Sequence, residues 1–207
     1  MPLISPGETW VALGDSITED PYGYVGICAA KLPGVKVLNA GVGGNKARDM
    51  RARLDGDVLR HRPNLVTVSV GVNDVWHGFY DYEHDRPAAT YNPAVGEPID
   101  EYRSDLTFII DAIAAIGSKV LLVSPTMIGE VPETRENKLL ATYVEAMKVI
   151  AAEKGVSYCP MNESIWDELA EMRESQPDAC ITTDGVHMTS RGAKLMAETL
   201  LRAFEAS

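Results

Sequence analysis

Short apolar runs alternate with longer amphipathic segments along the whole chain. The apolar runs are rich in Val and Leu, are bounded by Gly, Pro or Asn, and lack the polar alternation of a half-exposed strand. They predict five strands, at residues 10–13, 36–40, 65–70, 119–124 and 156–160. Because strands without alternation are buried on both faces, the pattern favours a parallel sheet covered by helices.

The segments between these strands carry apolar residues near the helical period. They predict six helices, at residues 22–31, 46–60, 99–116, 133–154, 162–174 and 190–204. In the longest segment the periodic positions include Leu140, Tyr143 and Met147, and Gly155 is the predicted end. Strand and helix alternate throughout, which predicts an α/β fold: a three-layer α/β/α sandwich around a flavodoxin-like, five-stranded parallel sheet. No repeat or linker interrupts the pattern, so residues 1–207 are predicted to form a single domain.

The net charge and the composition limit the kinds of molecule that the protein is expected to bind. The formal net charge is −11, with 30 acidic against 19 basic residues, which argues against nucleic acid and against anionic membrane surfaces. No apolar run has the length of a membrane span, and the first residues lack the pattern of a secretory leader. The three cysteines are far apart and form no CxxC pair, which favours a reducing compartment. We therefore expect a cytoplasmic protein that acts on a small molecule, with no cofactor and no metal.

Ligands of open parallel sheets bind beyond the carboxyl ends of the strands. Polar or glycine-rich stretches occupy these positions after the first, second and third predicted strands, and a fourth stretch lies near the end of the chain. They are Gly14-Asp15-Ser16, Asn39-Ala40-Gly41-Val42-Gly43-Gly44-Asn45, Gly71-Val72-Asn73-Asp74 and Asp184-Gly185-Val186-His187. We expect all four to converge on one edge of the sheet.

Ser16 has two interpretations from sequence. A serine at a strand-to-helix turn is most often a helix cap. A nucleophilic serine needs a base in hydrogen-bond reach and a group that orients the base. Two of the four histidines lie in the long connection at residues 77–98, and one lies at the far end of a predicted helix. The fourth, His187, ends a short turn that begins with a carboxylate, Asp184, three residues earlier. Ser16, His187 and Asp184 are therefore the candidate triad, and the oxyanion donors that it requires are predicted to be the amides of Ser16 and Gly44 and the side chain of Asn73.

In their order, the four stretches resemble the four signature blocks of the SGNH (GDSL) esterases and lipases, and the resemblance spans nearly the whole chain. It implies a flavodoxin-like fold and metal-free hydrolysis of esters, with Ser16 as nucleophile, His187 as base, Asp184 as its partner, and Gly44 and Asn73 as oxyanion donors. The run from Gly71 to Trp76 and the Tyr-rich segment after it resemble intracellular carbohydrate acetylesterases of the acetylxylan type. Trp76 and Val186 are then expected to contact the substrate, although Trp76 is equally suited to loop packing.

Two alternatives to a short-chain esterase stay open. The first is a lysophospholipase or thioesterase of the same fold that acts on longer acyl chains, although the polar and aromatic composition of residues 80–86 favours sugars or small polar esters. The second is a flavin- or nucleotide-binding module. The glycine stretch reads G-x-G-G and not G-x-G-x-x-G, which disfavours the module. Residues 77–98 form a long Tyr- and Pro-rich connection, and the sequence leaves open whether it is a lid or an interface in a homo-oligomer.

Overall fold

The computed structural model describes residues 2–81 and 83–205. Its main sheet contains five parallel strands. They are β1 (Thr9–Gly14), β2 (Lys36–Gly41), β3 (Leu65–Ser69), β4 (Lys119–Val123) and β5 (Ser157–Cys159). Their spatial order is β2-β1-β3-β4-β5. This is the flavodoxin-like order, in which the chain reverses its direction of winding between β1 and β3.

Helices cover both faces of the sheet. They are α1 (Ser16–Glu19), α2 (Tyr24–Lys31), α3 (Ala47–Asp57), α4 (Val72–Trp76), α5 (Ile99–Ala115), α6 (Arg135–Lys154), α7 (Met161–Ser175) and α8 (Ser190–Glu205). Helix α8 packs against α2 and α7, and α5 packs against α3 and α6, so that each group forms one outer layer. The predicted α/β/α sandwich is confirmed. None of the described helices has the length and apolar character needed to cross a membrane.

Burial explains why the central strands β1 and β3 read as unbroken apolar runs. All residues of β3 are buried, and so are all residues of β1 after the first. Trp10 of β1 is fully buried, donates its indole N–H to Thr67 Oγ1 at 3.0 Å, and packs edge-on against Phe204 of α8 at 5.2 Å. A buried indole needs such a partner for its N–H, and this contact ties the central strands to the last helix.

Local sequence signals set most element ends. Helix α6 begins after Thr134, whose hydroxyl accepts a hydrogen bond from the Asn137 N–H at 3.2 Å. It ends at Gly155, which has a left-handed conformation with a φ of 63°, as the sequence predicts for a C-terminal glycine. The predicted helix 46–60 is shorter in the structure, because α3 ends at Asp57 and a 3-10 turn, Leu59–His61, follows.

The connection at residues 77–98 has more local structure than the sequence predicts. It begins with a 3-10 turn, His77–Phe79, and contains a small antiparallel hairpin of Tyr80–Asp81 with Arg86–Pro87. Arg135 of α6 donates to the carbonyl oxygens of Ala88 and Ala89, and these hydrogen bonds hold the connection against helix α6.

Candidate active site

Ser16 lies where β1 turns sharply into α1. The N-cap of this helix is Asp15, whose Oδ1 accepts a hydrogen bond from the Ile17 N–H at 3.0 Å. Ser16 itself is the first helical residue, so its hydroxyl is not used as the cap. A Cβ on Gly14 would lie 2.0 Å from Thr18 Oγ1, and the tight turn therefore requires glycine at that position.

The predicted triad is assembled in hydrogen-bonding geometry. Ser16 Oγ lies 2.9 Å from His187 Nε2, although the two residues are 171 positions apart in the chain. His187 Nδ1 lies 2.7 Å from Asp184 Oδ2. Because the carboxylate can only accept, it holds the proton on Nδ1 and leaves Nε2 to accept the serine proton.

The Asp184–His187 turn is organised by the carboxylate itself. Asp184 Oδ1 accepts from the backbone N–H groups of Val186 at 2.9 Å and His187 at 2.8 Å. Partial burial acts to raise the pKa of Asp184, but the hydrogen bonds from the His187 ring and from these two amides outweigh it and lower the pKa. Asp184 thus remains an anion, which stabilises a positive charge on the neighbouring ring.

An ion pair from other elements supports this turn, and sequence reasoning missed it. Glu130 Oε1 accepts from the backbone N–H groups of Ile181 at 2.9 Å and Thr182 at 2.7 Å. Its second oxygen pairs with Arg173 Nη2 at 2.9 Å. Glu130 and Arg173 lie 43 positions apart and match no motif, so only their folded neighbourhood identifies them.

One predicted oxyanion donor, Gly44, lies in a segment that we term the oxyanion loop (residues 43–46). A Cβ placed on Gly43 would lie 3.8 Å from the Ser16 Cβ, so this loop borders the nucleophile. Gly44 has a φ of +76°, a conformation that favours glycine. The buried Asn73 donates one amide hydrogen to the Asn45 carbonyl at 3.1 Å, and its Nδ2 carries a second. Asn73 thus contacts the loop that contains Gly44, and the same loop borders Ser16.

Arg53 of α3 joins the turns on which the site is built, and no sequence motif indicates it. It donates to the carbonyl oxygens of Gly14 at 2.9 Å and Ala40 at 2.8 Å, at the ends of β1 and β2. It also donates to Asn45 Oδ1 at 2.6 Å. One guanidinium therefore links the turn that carries Ser16 to the oxyanion loop, through the fork geometry that only arginine offers.

Trp76 and Val186 occupy different environments. The Trp76 ring is partly buried and lies edge-on to the His187 ring, with 6.5 Å between centroids. Val186 is only 3 % exposed and packs in the hydrophobic core, and its backbone N–H binds Asp184. Trp76 thus borders the triad, whereas the side chain of Val186 presents little surface to a ligand; a substrate contact for either residue stays a prediction.

A small cavity of about 20 Å³ adjoins the triad. Its walls are mostly apolar and are formed by Ser16, Ile17, Asp20, Gly23, Tyr24, His187, Met188, Ala193 and Met196. A volume of about 10–15 Å³ is the least that accommodates one water molecule, so the cavity has room for a group of about that size. Within the described residues, no group of three or more His, Cys, Asp or Glu side chains has the arrangement of a metal site.

Two titratable groups next to the site have shifted pKa values. Burial raises the pKa of Asp15 to about 6. Burial, together with the positive charges of Lys46 and Arg48, lowers the pKa of His77 to about 4. His77 is therefore neutral at pH 7, where its Nδ1 lies 3.5 Å from the Lys46 ammonium.

The motif order, the fold and this geometry define a family. The model of the GDSL-like lipase/acylhydrolase family matches residues 12–195, and the chain belongs to that family. The family consists of lipases and acylhydrolases, and the relative described in the next paragraph is an esterase. The chain is accordingly a carboxylic ester hydrolase.

Among proteins of established function, the chain is similar to an acetylxylan esterase of Geobacillus stearothermophilus. The two are 26 % identical over 219 residues, which cover 96 % of this chain and 94 % of the relative. The crystal structure of a catalytic mutant of the enzyme from that organism superposes with a TM-score of 0.84 at 24 % identity, over 97 % of this chain and 95 % of the other. The acetyl xylan esterase AlAXEase superposes with a TM-score of 0.81 at 25 % identity, over 94 % and 98 % of the two chains.

Proposed function

We propose that this protein is a serine esterase that removes short acyl groups, in particular acetyl, from carbohydrate substrates such as xylo-oligosaccharides. The observation that carries the proposal is the chain of hydrogen bonds from Ser16 Oγ to His187 Nε2 at 2.9 Å and from His187 Nδ1 to Asp184 at 2.7 Å. It gives a serine both a base and an oriented partner for that base, which is what nucleophilic catalysis requires.

The reaction proceeds through an acyl-enzyme. Ser16 Oγ attacks the ester carbonyl carbon while its proton passes to His187 Nε2, and Asp184 stabilises the imidazolium. The backbone N–H groups of Ser16 and Gly44 and the side chain of Asn73 donate to the oxyanion. The C–O bond to the alcohol breaks as His187 protonates the leaving oxygen. Water, deprotonated by His187, then attacks the acyl-enzyme and releases the carboxylic acid and the free serine.

The small cavity beside the triad supports the preference for short acyl chains. Its volume of about 20 Å³ is that of a site for one small group, which favours the methyl group of an acetate over an extended alkyl chain. Met188 and Met196 are among the residues that line it. Acetylxylan esterases among the relatives support the choice of carbohydrate esters, for which the Trp76 ring beside His187 offers an apolar platform.

Acetate release from acetylated xylo-oligosaccharides, compared with simple aryl acetates, tests the proposal. We expect Ser16→Ala to abolish turnover of both and to retain the unfolding midpoint of the parent protein, while Ser104→Ala, which changes an exposed serine of α5, retains full activity. A fluorophosphonate probe should label Ser16. Labelling at another residue, or turnover by Ser16→Ala, would contradict the acyl-enzyme.

A chain-length series of aryl esters separates the proposal from the longer-chain alternative. Activity that falls steeply beyond butyrate supports the acetylesterase. A maximum at octanoate or longer would instead assign the protein to the lysophospholipases or thioesterases of the same fold.

A further inference from the structure

Two buried carboxyl groups lie at the base of the oxyanion loop, outside the triad. Asp74 and Glu97 are both 0 % exposed. Asp74 Oδ1 accepts from the Ala47 N–H at 3.0 Å, and Glu97 Oε2 accepts from the Arg48 N–H at 3.1 Å. These two amides are consecutive in the first turn of α3, directly after the oxyanion loop, so the two carboxyls cap the same helix side by side.

The second oxygen of each carboxyl is also buried. No donor within residues 2–81 and 83–205 reaches Asp74 Oδ2 or Glu97 Oε1. A buried polar atom without a partner is costly, and two ionised carboxylates at such a place cost more because they repel each other. Burial, with repulsion from Glu97, raises the pKa of Asp74 well above its usual range, and burial raises the pKa of Glu97 to about 7.

We infer that Asp74 and Glu97 share one proton, held between Asp74 Oδ2 and Glu97 Oε1, and that this bond holds the oxyanion donors in position. A single proton satisfies both unpartnered oxygens and removes one of the two buried charges. The remaining charge is favourable, because it faces the N-terminus of α3. Asp74 and Glu97 are thus positioning residues that touch neither the nucleophile nor the base.

The hydrogen bond through the shared proton connects the long segment 77–98 to the side-chain donor Asn73 and to the loop that carries the backbone donor Gly44. Asp74 directly follows Asn73, whose amide binds the Asn45 carbonyl in the oxyanion loop at 3.1 Å. The Glu97 N–H donates to the Asp74 carbonyl at 2.9 Å. The Tyr91 hydroxyl lies 3.1 Å from the carbonyl oxygens of both residues. If the shared proton is lost, repulsion therefore acts directly on the turn that presents Asn73 and on the loop that presents Gly44.

Other charged and titratable groups surround the pair and set its electrostatic environment. They are Asp15, Arg48, Asp49, Tyr91, Tyr102, Asp105 and Tyr143. Arg48 is the one cation of this set, and it favours ionisation of Glu97, whereas Asp49 and Asp105 oppose it.

Amide substitutions test the shared proton because an amide supplies its own hydrogen. In Glu97→Gln, the carbonyl oxygen still accepts from Arg48 and the NH₂ group donates to the ionised Asp74; Asp74→Asn is the mirror case. In the double variant both oxygens remain on the α3 amides, and two NH₂ groups face each other without an acceptor. Each single variant keeps a hydrogen bond between the two side chains, so we expect it to lose no more than ~3-fold in kcat at pH 6. The double variant lacks that bond. Since a displacement of about 1 Å at a catalytic site costs about 10²-fold, its kcat should fall ~10–100-fold, with KM changed by less than ~3-fold.

The pH dependence of stability gives a readout that does not depend on activity. The usual pKa of Glu97 is 4.5, and in the folded protein it is raised to about 7. The folded protein therefore holds a proton that the unfolded chain has released, and stability is lost as the pH rises from about 4.5 through about 7. In Glu97→Gln this loss should be smaller, seen as a flatter pH dependence of the urea midpoint. Asp55→Asn is the matched control: Asp55 is an exposed carboxylate of the same helix and is not among the charges that act on the pair, so its slope should match the parent.

The catalytic part of this inference rests on the proposed esterase function, whereas the unfolding measurement does not. Single variants that lose as much kcat as the double variant, or a Glu97→Gln slope parallel to that of the parent, would overturn the shared proton. If Ser16→Ala kept full turnover, the esterase mechanism would fail, and the urea measurements would still decide the state of the pair.

Discussion

Removal of the Asn73 side chain separates catalytic from structural roles in the oxyanion loop. Asn73 is buried and uses one amide hydrogen on the Asn45 carbonyl. Asn73→Ala loses that hydrogen bond, for which a net contribution of about 0.5–1.5 kcal/mol is typical. For a chain of this size, 1 kcal/mol corresponds to a fall in Tm of about 2–4 °C.

The catalytic loss should be larger than the structural one. Loss of one oxyanion donor typically costs about 10²–10³ in kcat, or about 2.7–4 kcal/mol of barrier. The donor acts on charge that develops only in the transition state, so we expect KM to change little. Steady-state kinetics on an aryl acetate, with Tm followed by circular dichroism, measures both effects.

Ser118→Ala is the matched control for the structural loss. The Ser118 hydroxyl donates to the Pro63 carbonyl at 2.6 Å and is buried, but it precedes β4 and thus lies at the opposite edge of the sheet. It should show a similar fall in Tm with kcat near that of the parent. If Asn73→Ala kept kcat within about threefold of the parent, the assignment of Asn73 as an oxyanion donor would be refuted.

Two further variants test the acyl cavity and the buried acid beside the nucleophile. Met188→Ala removes a half-buried wall of the cavity, and we expect the butyrate-to-acetate ratio of kcat/KM to rise by about tenfold, since one methylene is worth about 1–3 kcal/mol in a tight pocket; an unchanged ratio would place the acyl group elsewhere. Burial raises the pKa of Asp15 from 3.8 to about 6, so its contribution to stability is present at low pH and is lost as the pH rises through that range. Asp15→Asn keeps the acceptor for the Ile17 N–H but has no charge to bury. In urea unfolding, the free energy of unfolding of the variant relative to that of the parent should therefore be up to about 3 kcal/mol higher at pH 7 than at pH 4. Equal differences at the two pH values would contradict a raised pKa.

The order of elements and the positions of the candidate catalytic residues could be predicted from the sequence because both depend on local patterns. Buried parallel strands read as apolar runs, and each predicted strand overlaps a strand of the sheet. The motif residues Ser16 and Asn73 follow the carboxyl ends of β1 and β3 by two and four residues, so the rule that ligands bind at this edge of such sheets was sufficient to predict that they lie at one site. The short helices α1 and α4 were missed, since four or five residues are too few to show a helical period.

Only the tertiary structure could identify the groups that hold the site in place. Arg53, Glu130 and Glu97 act through contacts with backbone groups far away in sequence, and any chain segment offers the same N–H and C=O groups. Such contacts leave no spacing in the sequence, because they depend on which turns the sheet brings together. The same holds for the fate of Val186, which the sequence places beside the catalytic histidine and the fold packs into the core. Local sequence patterns thus predicted which residues are the candidates for the reaction, whereas long-range packing determined which groups hold them in position and which of the surrounding carboxyl groups have raised pKa values.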